Sequence, residues 1–174
     1  MITVRPAEPA DAPAIAALVC GVHAMHARAL PDVFQPADAA PATPASVATL
    51  IERAGPLFQV AVRDGAVAGY ARGELQEEAA TALKRASRVL YLHEMGVAPE
   101  HRQHGVGRAL LVAIRAAAVA WGARGVVLDV YAFNAAARAF YAREGFTPLR
   151  ERLAAPLEPD PAGAPGEDCG RSTA

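Results

Sequence analysis

The residues best suited to chemistry lie in one short segment, Arg102-Gln103-His104-Gly105-Val106-Gly107. A strand-like apolar run at residues 89–97 precedes this segment, and apolar residues at helical spacing follow it. The glycines therefore fall at a strand-to-helix turn, where the first N–H groups of a helix have no partner. These N–H groups and the helix dipole attract anions, and Arg102 and Arg108 add positive charge. The segment predicts a phosphate-binding loop.

Two other kinds of glycine loop fit this segment poorly. A Walker-type loop needs Lys and then Ser or Thr after its last glycine, whereas Arg108 follows Gly107 here. A dinucleotide loop needs Gly or Ala at position 110, which is Leu110, and normally lies in the first strand–helix–strand unit of a chain. The pattern Arg-x-x-Gly-x-Gly instead resembles the pyrophosphate loop of the GCN5-related N-acetyltransferases, the GNAT family.

A second stretch carries the same resemblance. Residues 128–134 end in Asn134, and residues 139–146 place Tyr141 ahead of a Gly-Phe pair, which resembles the second motif of the family. The resemblance implies a single-domain α/β GNAT fold. Its central mixed β-sheet would have about six to seven strands, flanked by about four helices and splayed between the fourth and fifth strands.

The family resemblance also implies acetyl-CoA as the co-substrate. Main-chain N–H groups of residues 103–108 would hold its pyrophosphate, and the first splayed strand would pair with its pantetheine arm. Asn134 would hydrogen-bond the same arm, although a plain helix cap also fits that residue. The resemblance assigns the donor to Met95, Val97, Arg102, Gln103, His104, Gly105, Val106, Gly107, Arg108 and Asn134.

Acetyl transfer to an amine requires an uncharged nucleophile. Deprotonating a lysine-like amine at pH 7 costs about 4.6 kcal/mol, from a gap of about 3.4 pKa units, so a base or a desolvating pocket must help. His93 and Glu94 are the candidates, and strand alternation predicts that they face opposite sides of the sheet, with His93 in a row with Tyr91 and Met95.

The choice between these two candidates stays open at the level of sequence. His93 resembles one histidine of the arylalkylamine acetyltransferases, in which protons leave through water, and histidine titrates in the suitable pH range. Glu94 resembles an acidic position in polyamine-binding relatives and would hold a cationic acceptor. We favour His93 as a water-relayed base. The alternative to a catalytic role is that His93 only packs against the sheet and that Glu94 is only an exposed residue at the edge of the sheet.

Tyr141 matches the usual proton donor to the coenzyme A sulfur in the family. A phenol with a pKa of about 10 is a weaker acid than a thiol with a pKa of about 8.5, so full proton transfer would cost about 2 kcal/mol. We therefore expect Tyr141 mainly to stabilise the leaving thiolate by a hydrogen bond. Core packing, like that expected for Phe140, is the alternative role.

Composition excludes several classes of function. The net charge is -1, from 17 Lys and Arg against 18 Asp and Glu, so no global field attracts nucleic acid or an anionic membrane. No run approaches the ~18 apolar residues of a membrane span, and the first residues lack the layout of a signal peptide. His101 and His104 lack partners at ligand spacing, so no metal is predicted. Two cysteines are too few for a disulfide framework, which predicts a cytoplasmic protein.

The 174 residues suit one domain. Residues 1–155 are assigned to the acetyltransferase domain, and residues 156–174, rich in Pro and Gly, to a flexible tail. The patterns predict a helix capped by Asp11, one starting at Thr43-Pro44, one over residues 105–121 and one capped by Asn134. They predict strands over residues 2–5, 57–63, 66–75, 89–97, 126–131 and 146–153, a hairpin turn at Asp64-Gly65, and a loop over 77–88.

Together these features predict an enzyme that moves acetyl from acetyl-CoA to a primary amine by direct attack. A small-molecule amine is the favoured acceptor, and the irregular segments 27–45 and 77–88 are expected to form its walls. One alternative is an inactive module that binds acyl-CoA as a sensor or partner surface. Another is a protein acetyltransferase acting on a peptide N-terminus or lysine. Homodimers are common in the family, so a homodimer is also open.

Overall fold

A computed structural model describes residues 1–39 and 41–155, and within them one mixed sheet has the strand order β1-β2-β3-β4-β5. The antiparallel strands β1 to β4 run in chain order, and β5 pairs with β4 in parallel. The strands are β1 Ile2–Pro6, β2 Phe58–Arg63, β3 Ala66–Glu78, β4 Ser87–Val97 and β5 Val126–Val127. The helices are α1 Ala12–Ala29, α2 Pro44–Ala54, α3 Val106–Ala120 and α4 Ala135–Arg143.

The helices cover both faces of the sheet, and each face has its own apolar cluster. On one face α3 packs against β3 and β4, and on the other α1 and α2 pack against β2 and β3. Burying each large apolar side chain contributes roughly 1.5–3 kcal/mol. The α3 face includes Leu90, Leu92, Leu110, Leu111 and Ile114, and the α1 face includes Ile15, Val47, Ile51, Phe58 and Tyr70.

Local signals in the sequence predicted several element ends. Thr43 caps α2, because its side-chain oxygen accepts from Ser46 N at 3.1 Å. Asp64 and Gly65 turn the β2–β3 hairpin with φ angles of 53° and 83°, as a two-residue turn with positive φ requires. Both predictions are confirmed. The predicted loop over 77–88 is shorter, because β3 extends to Glu78 and β4 starts at Ser87.

Asp11 occupies the N-cap position of α1, as predicted, but its side chain makes no capping hydrogen bond to this helix. Its carboxylate instead accepts from both terminal nitrogens of Arg5, at 2.7 and 2.9 Å, and from Glu8 N at 2.8 Å. A short 3-10 turn at Pro9–Asp11 carries the chain into α1 and directs the Asp11 side chain back toward β1. The hydrogen bond from Arg5 holds the pKa of Asp11 below its usual value.

The sheet has fewer strands than predicted. β5 covers Val126–Val127 instead of residues 126–131, because it pairs with β4 only at Leu90 and Tyr91. The predicted last strand over 146–153 is wrong. These residues pair with no strand in the described part of the chain, and Leu149 and Leu153 are exposed, so the segment lacks both hydrogen-bond partners and burial. The predicted tail at 156–174 lies outside the described residues.

One segment meets the length and composition of a membrane span, contrary to prediction. The helical segment Pro9–Ala29, which includes α1, is long and apolar enough by these two measures. A helix packed within a domain passes the same test. Ala12, Ile15 and Ala16 of α1 are buried in the cluster that α1 shares with α2 and the sheet.

Candidate active site

The site begins where β4 and β5 part. Leu90 N donates to Gly125 O at 2.9 Å, and the parallel pairing ends at Tyr91. The side chains of Met95 and Val97 lie on the same sheet face as that of Leu90. Along a strand, residues whose side chains share a face also point their N–H and C=O groups toward the same neighbouring strand. The main chain of both residues therefore points toward the opening between the strands. Arg102 Nε donates to Val97 O at 3.2 Å, so that carbonyl already has one partner.

The loop between β4 and α3 presents unpaired main-chain donors. Gln103 and Gly105 have positive φ angles of 61° and 83°, and Gly105 forms the N-cap of α3. Among residues 1–39 and 41–155, the N–H groups of residues 103–108 have no hydrogen-bond acceptor. Residues 102–105 are exposed. Unpaired N–H donors at the positive end of a helix suit a phosphate group.

Two charged or polar side chains of the loop make hydrogen bonds to the main chain, and a third is largely exposed. Arg102 is held by its bond to Val97, and His104 Nδ1 donates to Arg102 O at 2.6 Å. Arg108 keeps 75% of its side chain exposed and approaches Glu144 only at 4.0 Å. A Cβ on Gly107 would stand 3.4 Å from the Phe140 ring. That distance is an ordinary van der Waals contact, so the packing of α3 on α4 does not require glycine at 107, while Arg108 remains able to reach an anion.

A β-bulge at His93 corrects the predicted strand alternation. Arg72 of β3 pairs with Glu94 and Gly73 pairs with Leu92, which leaves His93 as the extra residue on β4. A bulge of this kind changes which face the following residues occupy. His93 and Glu94 both contact side chains on the α1 face, whereas Met95 packs on the α3 face. The predicted opposition of His93 and Glu94, and the row containing His93 and Met95, are wrong.

His93 is fixed by two neighbours on the α1 face. Its Nε2 donates to Glu74 Oε2 at 2.8 Å, and its ring meets the Tyr91 ring edge to face at 4.7 Å between centroids. Tyr91 Oη in turn donates to Asp129 Oδ2 at 2.7 Å. Burial, together with this hydrogen bond, raises the pKa of Tyr91. The result is a line of polar contacts that crosses β3, β4 and the segment after β5.

Glu94 is engaged by a cation. Its carboxylate accepts from Arg72 Nη2 at 3.1 Å and from the hydroxyl of the buried Tyr70 at 3.4 Å. Burial first, and the charge of Glu94 second, raise the pKa of Tyr70, so this hydroxyl remains a donor. Arg72 Nε is buried without a partner among the described residues. Glu94 is therefore neutralised by Arg72, whereas His93 keeps one ring nitrogen available.

Tyr141 lies on α4 and packs against the α3 face of the core. Its ring meets Phe140 at 5.2 Å and Phe146 at 5.4 Å between centroids. Burial raises the pKa of Tyr141 to about 12. Its hydroxyl makes no hydrogen bond to any residue that the structure describes. The phenol is therefore protonated at neutral pH and remains available as a donor to a ligand.

Asn134 caps α4, as one of its two predicted roles requires. Its Oδ1 accepts from Ala137 N at 3.0 Å. The side-chain amide donors remain available, so capping leaves room for a ligand contact. Asn134 also lines an open cleft of about 450 Å³ between the end of α1 and the start of α4, together with Met25, Arg28, Ala29, Phe133, Ala135 and Ala136.

An aromatic cluster joins this cleft to α1. His26 lies 5.4 Å from Tyr131 and 5.5 Å from Phe133 between ring centroids, and Phe34 packs on both His26 and Tyr131. The segment 27–45, predicted to wall the acceptor, supplies Phe34. Tyr131 and Phe133 follow β5 after it has left β4. The cluster thus holds the end of α1 against the chain that forms the far side of the splay.

Three contributors to the site were missed from the sequence: Glu74, Arg72 and Asp129. Each reaches β4 from a neighbouring segment, and the β3–β4 register that aligns Glu74 with Tyr91 depends on the turn at 79–86, whose conformation no motif specifies. The charged residues inside a predicted strand were the available signal. Within the described ranges, no group of three or more His, Cys, Asp or Glu side chains could hold a metal ion.

Known proteins resemble this chain in sequence pattern and in fold. The model of the Acetyltransferase (GNAT) family matches residues 22–146. A mutant of the BH1408 protein from Bacillus halodurans has a TM-score of 0.82 at 24% identity, covering 90% of this chain and 99% of that one. The aminoglycoside N-acetyltransferase AAC(6')-Iy in complex with CoA has a TM-score of 0.62 at 18% identity, covering 91% and 95%. At these identities the solved structures show the fold alone. No curated protein matches the chain.

Proposed function

The chain belongs to the GNAT family of acetyltransferases, and we propose that it moves an acetyl group from acetyl-CoA to the primary amine of a small molecule. The observation that carries the proposal is the set of unpaired N–H groups at residues 103–108, beside the opening between β4 and β5. A diphosphate fits these donors, and an extended amide-containing arm fits the open strand edge. Coenzyme A has both chemical features.

The residues proposed for the donor divide between main chain and side chain. N–H groups of residues 103–108 would bind the pyrophosphate, with Arg108 adding charge from its exposed position. The open main chain at Met95 and Val97 would pair with the pantetheine arm, and the amide of Asn134 would donate to the same arm. When bound, acetyl-CoA supplies an acetyl group on a thioester with a thiolate as the leaving group.

Tyr141 is proposed to stabilise that thiolate by donating a hydrogen bond. With its pKa raised to about 12, the phenol is a weaker acid than an unbound tyrosine. Full proton transfer to a thiolate of pKa ~8.5 would then cost about 5 kcal/mol. A hydrogen bond to the developing negative charge avoids that cost. The raised pKa therefore supports stabilisation by Tyr141 over complete donation of its proton.

His93 is the proposed base, directly or through water. The Glu94 carboxylate already accepts from Arg72 and from the hydroxyl of Tyr70, so its oxygens are occupied by protein donors. Glu94 is instead proposed to orient an amine that approaches the same face. His93 stands beside it on the bulge with Nε2 bonded to Glu74, so its Nδ1 is the atom available to the acceptor amine.

A small-molecule acceptor is supported by the solved structures of aminoglycoside N-acetyltransferases that resemble this fold. The test follows thiol release from acetyl-CoA across a panel containing aminoglycosides, arylalkylamines, polyamines and a lysine peptide. Thermal stabilisation by CoA is measured in parallel. Release with a small amine supports the proposal. Binding without release would identify an inactive acyl-CoA-binding module, and release with the peptide alone would identify a protein acetyltransferase.

A further inference from the structure

We propose that Glu74 of β3 is a positioning residue for His93, an assignment that rests on the proposed acetyl transfer. His93 Nε2 donates to Glu74 Oε2 at 2.8 Å. Glu74 makes no other hydrogen bond or ion pair with the residues that the structure describes, and 61% of its side chain is exposed. The carboxylate therefore contributes little to the core. Its one specific contact is with the proposed base.

This contact decides which nitrogen of His93 can act. A carboxylate accepts but does not donate, so Nε2 carries the hydrogen and Nδ1 carries the lone pair in the neutral ring. A carboxylate placed in this way holds the imidazole tautomer and stabilises the imidazolium that forms when a proton arrives. Glu74 would thus serve His93 both before and after proton transfer.

The remaining contacts of the ring keep it in place. The Tyr91 ring packs edge to face on His93, and Tyr91 is itself tied to Asp129. The His93 side chain is only 26% exposed. Ring rotation would break both the packing on Tyr91 and the bond to Glu74. The orientation of the His93 ring is therefore set by Glu74 of β3 and Tyr91 of β4.

Other charges face this region, but each has a different partner. Glu94 follows His93 on the same face and is held by Arg72 and Tyr70. Asp129 accepts from Tyr91, which also lies near enough to Arg150 and Arg152 to be affected by their charges. In the described part of the chain, Glu74 is the charged group that contacts a His93 ring nitrogen.

The proposed step balances in protons and electron pairs. The acceptor nitrogen forms its bond to the thioester carbonyl carbon, and its surplus proton moves to His93 Nδ1, directly or through water. The carbon–sulfur bond breaks and its electron pair leaves with the sulfur, which receives a hydrogen bond from Tyr141. His93 then carries hydrogens on both nitrogens, and the resulting cation is paired with Glu74.

The test replaces Glu74 by Gln, alone and combined with His93→Ala. Gln keeps the size of the side chain and an acceptor oxygen but removes the negative charge. Glu74→Gln is expected to lower kcat about 10-fold, with the KM for acetyl-CoA unchanged. The His93 ring also becomes a mixture of its two neutral tautomers, because the Gln amide can donate to a ring nitrogen as well as accept from one. In the His93→Ala background, Glu74→Gln has no further effect on kcat.

Glu78→Gln is the matched control. Glu78 lies on the same face of β3, about 13 Å along the strand, and its loss of charge should leave both kcat and the His93 tautomer unchanged. Ring-nitrogen NMR of His93 gives a readout that needs no turnover: the wild type should carry its hydrogen on Nε2, and Glu74→Gln should show both tautomers. Circular dichroism checks that each variant is folded.

The outcomes separate this inference from the proposed function. If the wild type releases thiol but Glu74→Gln keeps the wild-type kcat and the single His93 tautomer, the role of Glu74 is overturned and acetyl transfer stands. The role is also overturned if Glu74→Gln lowers kcat equally with and without His93. If the wild type releases no thiol with any amine, both proposals fail together.

Discussion

Arg72 of β3 donates to the Glu94 carboxylate of β4 at 3.1 Å, directly across the strand pair. Arg72 is only 19% exposed and Glu94 36% exposed, so the pair is partly shielded from water. The hydroxyl of Tyr70 completes the arrangement beneath Glu94. This pairing distinguishes the two neighbouring candidate bases, because it neutralises Glu94, whereas the hydrogen-bond partner of His93 among residues 1–39 and 41–155 is the exposed Glu74.

Glu94→Gln is expected to lower the free energy of unfolding by about 1–2 kcal/mol. The substitution leaves the partly buried guanidinium of Arg72 without its counter-charge, which costs more than loss of an exposed pair. Glu77→Gln is the matched control, because its partner Arg88 is 46% exposed. Urea denaturation at pH 7 measures both variants. Equal losses for the two would contradict the idea that Arg72 depends on Glu94.

Tyr141→Phe is expected to lower kcat by roughly 100-fold while the KM for acetyl-CoA changes little. The phenol has no hydrogen-bond partner among the described residues, so removing its oxygen leaves no protein group unsatisfied. Steady-state kinetics with the best amine of the panel measures the effect, and thermal denaturation serves as the control for folding. An unchanged kcat would remove Tyr141 from the mechanism.

The rate should show no loss from ionisation of Tyr141 below about pH 11. Burial raises the pKa of this residue to about 12, so the donor form persists beyond the range in which a free phenol ionises. A pH–rate profile extended to pH 10.5, with a check for reversible inactivation, measures this. A fall in kcat near pH 10 that is absent from Tyr141→Phe would contradict the assignment.

Asp11→Asn is expected to lower stability at pH 7 by about 2 kcal/mol, because the hydrogen bonds to Arg5 and Glu8 lose a charged acceptor. The pKa of Asp11 lies below its usual 3.8 in the folded state. Its contribution is therefore present above that value and is lost as the pH falls through the folded pKa. The urea concentration at the unfolding midpoint should fall less between pH 7 and pH 2 for Asp11→Asn than for the wild type. An equal fall in both proteins would contradict this prediction.

Gly105→Ala is expected to weaken CoA binding about 10-fold. Gly105 has a φ of 83° at the start of α3, and a side chain there strains the backbone and displaces the neighbouring N–H groups. Gly65→Ala is the matched control, since Gly65 has the same φ of 83° and open space around it in the β2–β3 turn. Calorimetry with CoA compares them. Equal affinities for both variants would argue against the loop.

Features set by neighbouring residues in the chain were predicted well. The Asp64-Gly65 turn needs positive φ at both positions, and Thr43 sits directly before Pro44 at a helix start, so local chemistry suffices for each. The turn from β4 into α3 was also placed correctly, with Gly105 at the N-cap, whereas the positive φ of Gln103 had no signal in the sequence.

Features that depend on pairing between distant segments were missed. The bulge at His93 was missed, although the apolar row changes from even positions at Leu90 and Leu92 to odd positions at Met95 and Val97; only the alignment with β3 places the extra residue. The contact with Glu74 depends on that alignment. Residues 126–131 were predicted to form one strand. The chain leaves β4 after Val127, so in the described structure residues 128–131 lie beside no strand with which to pair.

The most direct test of the account is an NMR titration of the ¹⁵N-labelled protein with coenzyme A. We predict that the amide resonances of residues 103–108 move most, and downfield, as their unpaired N–H groups bind the diphosphate. Pantetheine, which carries no phosphate, should leave these resonances in place while still moving the amide resonances of Met95 and Val97. Saturating coenzyme A that leaves the amides of residues 103–108 unmoved would contradict the central claim.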